Sequence, residues 1–191
     1  MSRKNDLRTF KTLNAIDISF EDLISSKAFR DITINDIASG AVINRSTFYL
    51  HYTDKYKLLD TLADQKLEKV INTISPESHI QNGKLNCSLF TIDLTNSLKV
   101  VAEHPKLYKF ILNDSESLGL RKKAELALGE KLAQSFPVET TIARDLLIEI
   151  VSSIYVSVIS WWLNNGMKYS AQFMAAQLVK FFELGSKSLL V

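Results

Sequence analysis

Apolar side chains recur at steps of three and four along most of the chain, the spacing that lines one face of an α-helix. Leu7, Phe10, Leu13, Ile16, Phe20, Leu23 and Ile24 form the first run and predict a helix of about 20 residues ending near Lys27. Phe29 and Ile32 then cross a short connection. Thr33 is followed three residues later by Asp36. That is the form of a capping box, in which the hydroxyl takes an orphan amide at a helix start. It predicts a short second helix with Ile34, Ile37 and Ala38 on its buried side and Gly40 near its end. Asn44 is placed to cap a third helix over 45–51, and Asp54 a fourth that carries Leu58, Leu59, Leu62, Leu67, Val70, Ile71 and Ile74. Ser75-Pro76 stops that helix, and the polar stretch 77–85, which contains Gly83, predicts a loop. Further helices are expected over 86–103, 105–113, 118–135, 139–164 and 170–190, with Asn165-Gly166 ending the penultimate one. No alternation of period two lasts long enough to argue for a sheet. The expected fold class is all-α.

Composition permits this fold and excludes several functions. Of 191 residues, 46% are hydrophobic, enough for a core, and three prolines and six glycines leave room for long helices. The net charge of +2 is too small to imply nucleic acid, so the placement of charge must carry that argument. A single cysteine, Cys87, excludes an internal disulfide and a multi-cysteine metal site, and it reads as a small buried apolar residue. His51, His79 and His104 show no metal-ligand spacing, so no metal is expected. There is no glycine-rich phosphate loop, Cys–His pair or acid cluster, so neither enzyme activity nor a cofactor is expected. The polar, mixed-charge start Ser2-Arg3-Lys4-Asn5-Asp6 is not a secretory signal. The most apolar stretch, 146–163, carries Glu149, Ser152, Ser153, Tyr155, Ser157 and Ser160. A membrane span needs about 20 mostly apolar residues, so this reads as a buried or dimer-forming helix, with no membrane partner and a cytoplasmic location.

Two short helices joined by a tight turn, 33–40 and 44–52, make a helix-turn-helix. In that motif the second helix enters the major groove of duplex DNA and its first turn meets base edges. Arg45, Ser46 and Thr47 fall in that turn. Arginine hydrogen-bonds guanine on two atoms, and serine or threonine reaches a base or a phosphate. Tyr49 and Tyr52 add hydroxyls for phosphates. Lys55 and Lys57 occupy the first turn of the fourth helix, where cations oppose the helix dipole unless an anion docks there. Arg3, Lys4, Arg8 and Lys11 place four cations at the chain start, either on flanking DNA or in solvent. Residues 1–60 carry nine Lys/Arg and eight Asp/Glu, so binding needs a local stripe of charge, present in two copies, and not a bulk field.

Ile32-Thr33-Ile34-Asn35-Asp36-Ile37-Ala38, then Asn44 through Tyr52, then Asp54-Lys55 and Leu58-Leu59 resemble the DNA-binding domain of the TetR/AcrR family. The resemblance covers about residues 7–60. It implies a base-contact position for Arg45 with Ser46 beside it. It implies phosphate- or base-contact positions for Thr47, Tyr49, His51 and Lys55, and a phosphate contact for Thr33. Leu50 falls where the family varies near DNA, and Phe48 belongs in the small domain's core. The family usually has glycine where this chain has Val42. A β-branched residue tolerates positive φ badly, so the turn either avoids that geometry or is strained. Farther on, 159–167 with Ser170 and Met174 is similar to the C-terminal domain of a subgroup common in Firmicutes. In the family the last two helices pair with their symmetry mates. The resemblance thus implies a three-helix helix-turn-helix domain over 1–60 and a helical regulatory and dimerisation domain over 61–191. The implied protein is a homodimeric transcription regulator on double-stranded operator DNA, most simply a repressor released by a small-molecule ligand. The alternative is a regulator without an inducer, acting as an activator or through protein partners.

Overall fold

Ten α-helices order the computed structural model, which describes residues 2–81, 84–113 and 119–184. The chain divides into two compact units, Met1–Gln65 and Lys66–Val191.

In the first unit α1 (Ser2–Ser26) starts five residues before the first apolar step at Leu7. Leu7 and Phe10 face solvent, whereas Ile16 and Phe20 are fully buried. A 3-10 turn, Phe29–Asp31, leads to α2 (Ile34–Gly40), and α3 (Arg45–Tyr49) follows. Phe29, Ile32, Ile37, Phe48, Leu58 and Leu62 close the core around Phe20. Each large apolar side chain sunk here contributes about 1.5–3 kcal/mol. Phe20 and Phe29 meet edge to face at 6.2 Å. Helix α4 (Lys55–Ile71) begins in this unit and ends in the next.

The second unit is a helical bundle. Helix α6 (Cys87–Glu103) packs along α10 (Ala171–Leu184), and α8 (Leu120–Ser135) along α9 (Arg144–Asn164). Helix α7 (Pro105–Ile111), entered through His104, packs against α9. The expected loop over 77–85 instead holds a helical turn, α5 (Pro76–His79), and two two-residue strands, β1 (Ile80–Gln81) and β2 (Lys84–Leu85), paired antiparallel. Four-residue and two-residue elements are too short to leave a period in the sequence. The described residues form an all-α fold, with this pairing as a small addition. Gly83, Leu118 and the extension of the last helix to Leu190 lie outside the described residues, as do the side chains of Arg3 and Lys4.

Helix α9 starts five residues later than the expected 139, after the run Thr140-Thr141-Ile142. Three β-branched residues in succession resist helix entry. Arg144 anchors the start by donating to the carbonyls of Ala133, Phe136 and Pro137 at the end of α8. Glu149 is solvent-exposed and pairs with Lys122 at 3.3 Å. His79 is buried against Phe90, with ring centroids 4.8 Å apart, and burial pushes its imidazole pKa down. Among the described residues no three metal-ligating side chains gather. One described helix, α9, is long and apolar enough to cross a membrane; a third of its most apolar window is buried within the bundle.

Candidate nucleic-acid interface

The capping box that starts α2 is complete. Asp36 N–H donates to Thr33 Oγ1 at 3.1 Å, and Thr33 N–H donates to Asp36 Oδ2 at 2.7 Å. The Thr33 hydroxyl and Lys27 Nζ both donate to the same carboxylate oxygen at 2.8 Å. These partners, Lys27 foremost, hold the Asp36 pKa at about 2. Thr33 is exposed where the sequence places a phosphate contact, with its hydroxyl already engaged in the cap.

The turn between α2 and α3 resolves the question raised by Val42. Val42 has φ 54°, so a β-branched residue sits in the left-handed region. Its N–H donates to Ser39 O at 3.1 Å, and Ile43 N–H donates to Ala38 O at 2.9 Å. That is the Schellman arrangement, in which glycine is usual at the left-handed position. The strain costs about 1–2 kcal/mol. Gly40, read from the sequence as a stop signal, does a different job: a Cβ there would collide with Ser19 Oγ. Ser19 is buried and donates to Ile37 O at 2.9 Å, so the missing side chain lets α2 lie close on α1.

Helix α3 is shorter than the expected 45–51, with Leu50 and His51 in a following turn. Asn44 takes the extended N-cap conformation, but its side chain makes no capping bond. Phe48 is fully buried, which fixes the rotation of the helix. Arg45, Ser46, Tyr49 and Leu50 therefore share the solvent face, while Thr47 and His51 are half-buried at its flank. Arg45 Nη2 donates to Tyr49 Oη at 3.0 Å, and the guanidinium lies 5.4 Å from the centre of that ring.

Two of the expected contact residues do other work. Tyr52 is buried beside Phe48, with ring centroids 5.7 Å apart. Burial, helped by the Asp17 carboxylate, lifts its hydroxyl pKa to about 12. Its ring is part of the core of this unit, because the turn after α3 points it inward. Lys55 Nζ donates to the carbonyls of Phe29, Arg30 and Ile32 at 2.8, 2.9 and 2.8 Å. An ammonium has three donors, and here all three are taken. Lys55 thus ties α4 to the connection after α1. Lys57 remains exposed, 3.9 Å from Asp60. Asp54 caps α4 as expected, accepting from Lys57 N–H at 2.8 Å.

The sequence did not reveal the groove of about 500 Å³ between α1 and the turn, with Arg8, Lys11 and Thr12 at its rim and Ala15, Ala41 and Ile43 along its floor. Arg8 and Lys11 have no ion-pair partner among the described residues. Four positive charges at a chain start signal a basic end; they carry no sign of which turn it faces.

Comparisons with known proteins match this architecture. The family model described as "Bacterial regulatory proteins, tetR family" matches residues 21–62, and the one described as "Transcriptional regulator C-terminal region" matches 93–184. The HTH-type transcriptional regulator YxbF of Bacillus subtilis is 21% identical over 190 residues, covering 94% of this chain and 46% of that protein. The dhaKLM operon transcriptional activator DhaS of Lactococcus lactis is 31% identical over 78 residues, 41% of this chain and 42% of that one. The chain therefore spans less than half the length of these curated relatives. Among solved structures, NalD of Pseudomonas aeruginosa, the secondary repressor of the MexAB-OprM multidrug efflux pump, superimposes with a TM-score of 0.70 at 14% identity, over 93% of this chain and 96% of that one. With its capped helix-turn-helix ahead of a helical bundle, and both regions matched by family models, this chain belongs to the TetR family of DNA-binding transcriptional regulators.

Proposed function

We propose that the protein works as a homodimer, with residues 1–60 binding a roughly palindromic operator and residues 61–191 supplying dimerisation and regulation. The observation that carries the reading is the solvent face of α3. Arg45, Ser46, Tyr49 and Leu50 are exposed together, on a helix whose opposite side is locked by Phe48. Thr47 and His51 flank that face, Lys57 stands ready for a backbone phosphate, and Thr33 is exposed at the start of α2 with its hydroxyl engaged in the cap. Two copies would enter successive major grooves about one helical turn apart. A DNA-binding role also places the protein in the cytoplasm.

Dimerisation is supported by the outer face of α9 and α10. Trp161, Phe173 and Phe181 stand half-exposed there, around an open groove of about 500 Å³ that Ile154, Val158 and Leu178 complete. A contiguous apolar patch of this kind marks an interface. It also accounts for the apolar character of α9 without a membrane.

On this reading the regulator is a repressor released from its operator by a small-molecule ligand. A second reading, control through a protein partner or as an activator, is favoured by one observation. The space enclosed among Leu67, Val101, Tyr108, Leu128, Tyr155 and Ile159 is about 30 Å³. Ligand sites usually offer about 300–1,000 Å³. A ligand would have to open this core. The hydroxyls that line it are already engaged: Tyr155 donates to Ser97 Oγ at 2.7 Å and Tyr108 to the Lys66 carbonyl at 2.8 Å, and burial pushes the Tyr155 pKa up. DhaS, an activator, and NalD, a repressor, show that the fold carries both signs of control.

Gel shifts on duplexes selected by the purified chain test the reading. Arg45→Ala should erase preference among sequences while leaving weak, salt-sensitive binding. Full operator discrimination by that variant overturns the assignment. Operator release by the low-mass fraction of a cell extract supports the ligand; release by the protein fraction alone supports the partner.

A further inference from the structure

We propose that Leu50 sets part of the operator sequence by packing on the C5-methyl group of a thymine in each half-site. The inference rests on the operator-binding reading above and names what this position reads. Leu50 is 80% exposed, directly after the last residue of α3. Its N–H is satisfied by the carbonyls of Ser46 and Thr47, so the backbone there is fixed while the side chain stands in solvent.

Single exposed leucines are ordinary on protein surfaces; the placement of this one is what matters. The exposed face of α3 carries two rows at helical spacing. Arg45 and Tyr49 form one row, joined to each other by their hydrogen bond. Ser46 and Leu50 form the other, four residues apart and both open to solvent. When this face enters the major groove, the arginine row offers polar donors and the second row ends in a branched aliphatic group. The major-groove edges of bases present donors, acceptors and one apolar feature, the thymine methyl. Against any other base edge Leu50 would strip water from polar atoms and give nothing back. The side chain therefore selects thymine both by contact and by exclusion.

The test uses the full-length chain. Its preferred duplex is selected from a random pool, and each thymine is replaced in turn by uracil, which removes the methyl and leaves every hydrogen-bonding group in place. The expected result is one thymine per half-site where the replacement weakens binding by about fourfold, the worth of one buried methyl, and about fifteenfold when both half-sites are changed. Leu50→Ala should bind the thymine and uracil duplexes equally, and Leu50→Met should keep the preference. If the unmodified protein binds every uracil duplex as tightly as its parent, or if Leu50→Ala still prefers thymine, the proposal fails while operator binding stands. If no duplex is selected at all, operator binding fails with it.

Discussion

Val42 shows how one residue can carry strain that its neighbours enforce. Two backbone hydrogen bonds close the turn around it, and the left-handed φ follows from them. The side chain is 90% exposed, so it recovers little by packing. Val42→Gly should therefore stabilise the protein by about 1 kcal/mol, after allowing for the extra chain entropy glycine adds to the unfolded state. Urea unfolding of the two proteins in parallel checks this, and an unchanged or lower midpoint would contradict it. The position was open to suspicion from sequence, because a valine stood where the resembling family uses glycine. Which of the two outcomes held depended on hydrogen bonds that a residue list does not contain. The same gap explains Tyr52 and Lys55. Their chemistry suits phosphate, yet one is turned into the core and the other has its three donors on carbonyls.

At the scale of elements, the capped starts of α2 and α4 were legible and close approaches were not. Thr33 with Asp36, and Asp54 before α4, announced themselves by type and spacing, because a cap is a local bond. The cap on α2 has a pH signature. Asp36 titrates at about 2 in the folded chain against an ordinary 3.8. Between those values the unfolded chain binds the proton and the folded chain does not, so stability falls as pH drops through that window. A pH series of unfolding curves should show the loss, and Asp36→Asn should flatten it. The contact between Gly40 and Ser19 joins residues far apart in sequence and leaves no local trace. Gly40→Ala should cost about 1–3 kcal/mol, since the side chain it meets is tied to Ile37 O. Adding Ser19→Ala should recover part of that loss, because the collision is with the hydroxyl while the serine Cβ lies 3.2 Å away. Simple additivity of the two substitutions would argue against the contact. Helix α5 and the strand pair were missed because nothing so short repeats.

For the molecule as a whole, the apolar period identified the bundle helices but not which of their faces remain open. Trp161 and Phe173 stand half-exposed, with the Tyr169 ring 4.8 Å from that of Phe173 and 6.4 Å from that of Trp161. If this face joins two copies, Trp161→Glu should raise the dimer dissociation constant by about thirtyfold, the usual effect of removing a central aromatic anchor. Sedimentation velocity across a concentration series reads that shift, and an unaltered dimer would place the interface elsewhere. The variant should keep its helical circular dichroism, because the residue is 46% exposed in the single chain.

If α3 reads bases as proposed, the hydrogen bond from Arg45 to Tyr49 has a consequence for how the protein searches DNA. A long, freely rotating guanidinium would snag on every guanine it passed and would surrender its freedom anew at each specific stop. Parked on its own tyrosine, this one has made that surrender before meeting any duplex. On that reading the head would travel stiff, with less ordering left to lose at the site it is built to hold.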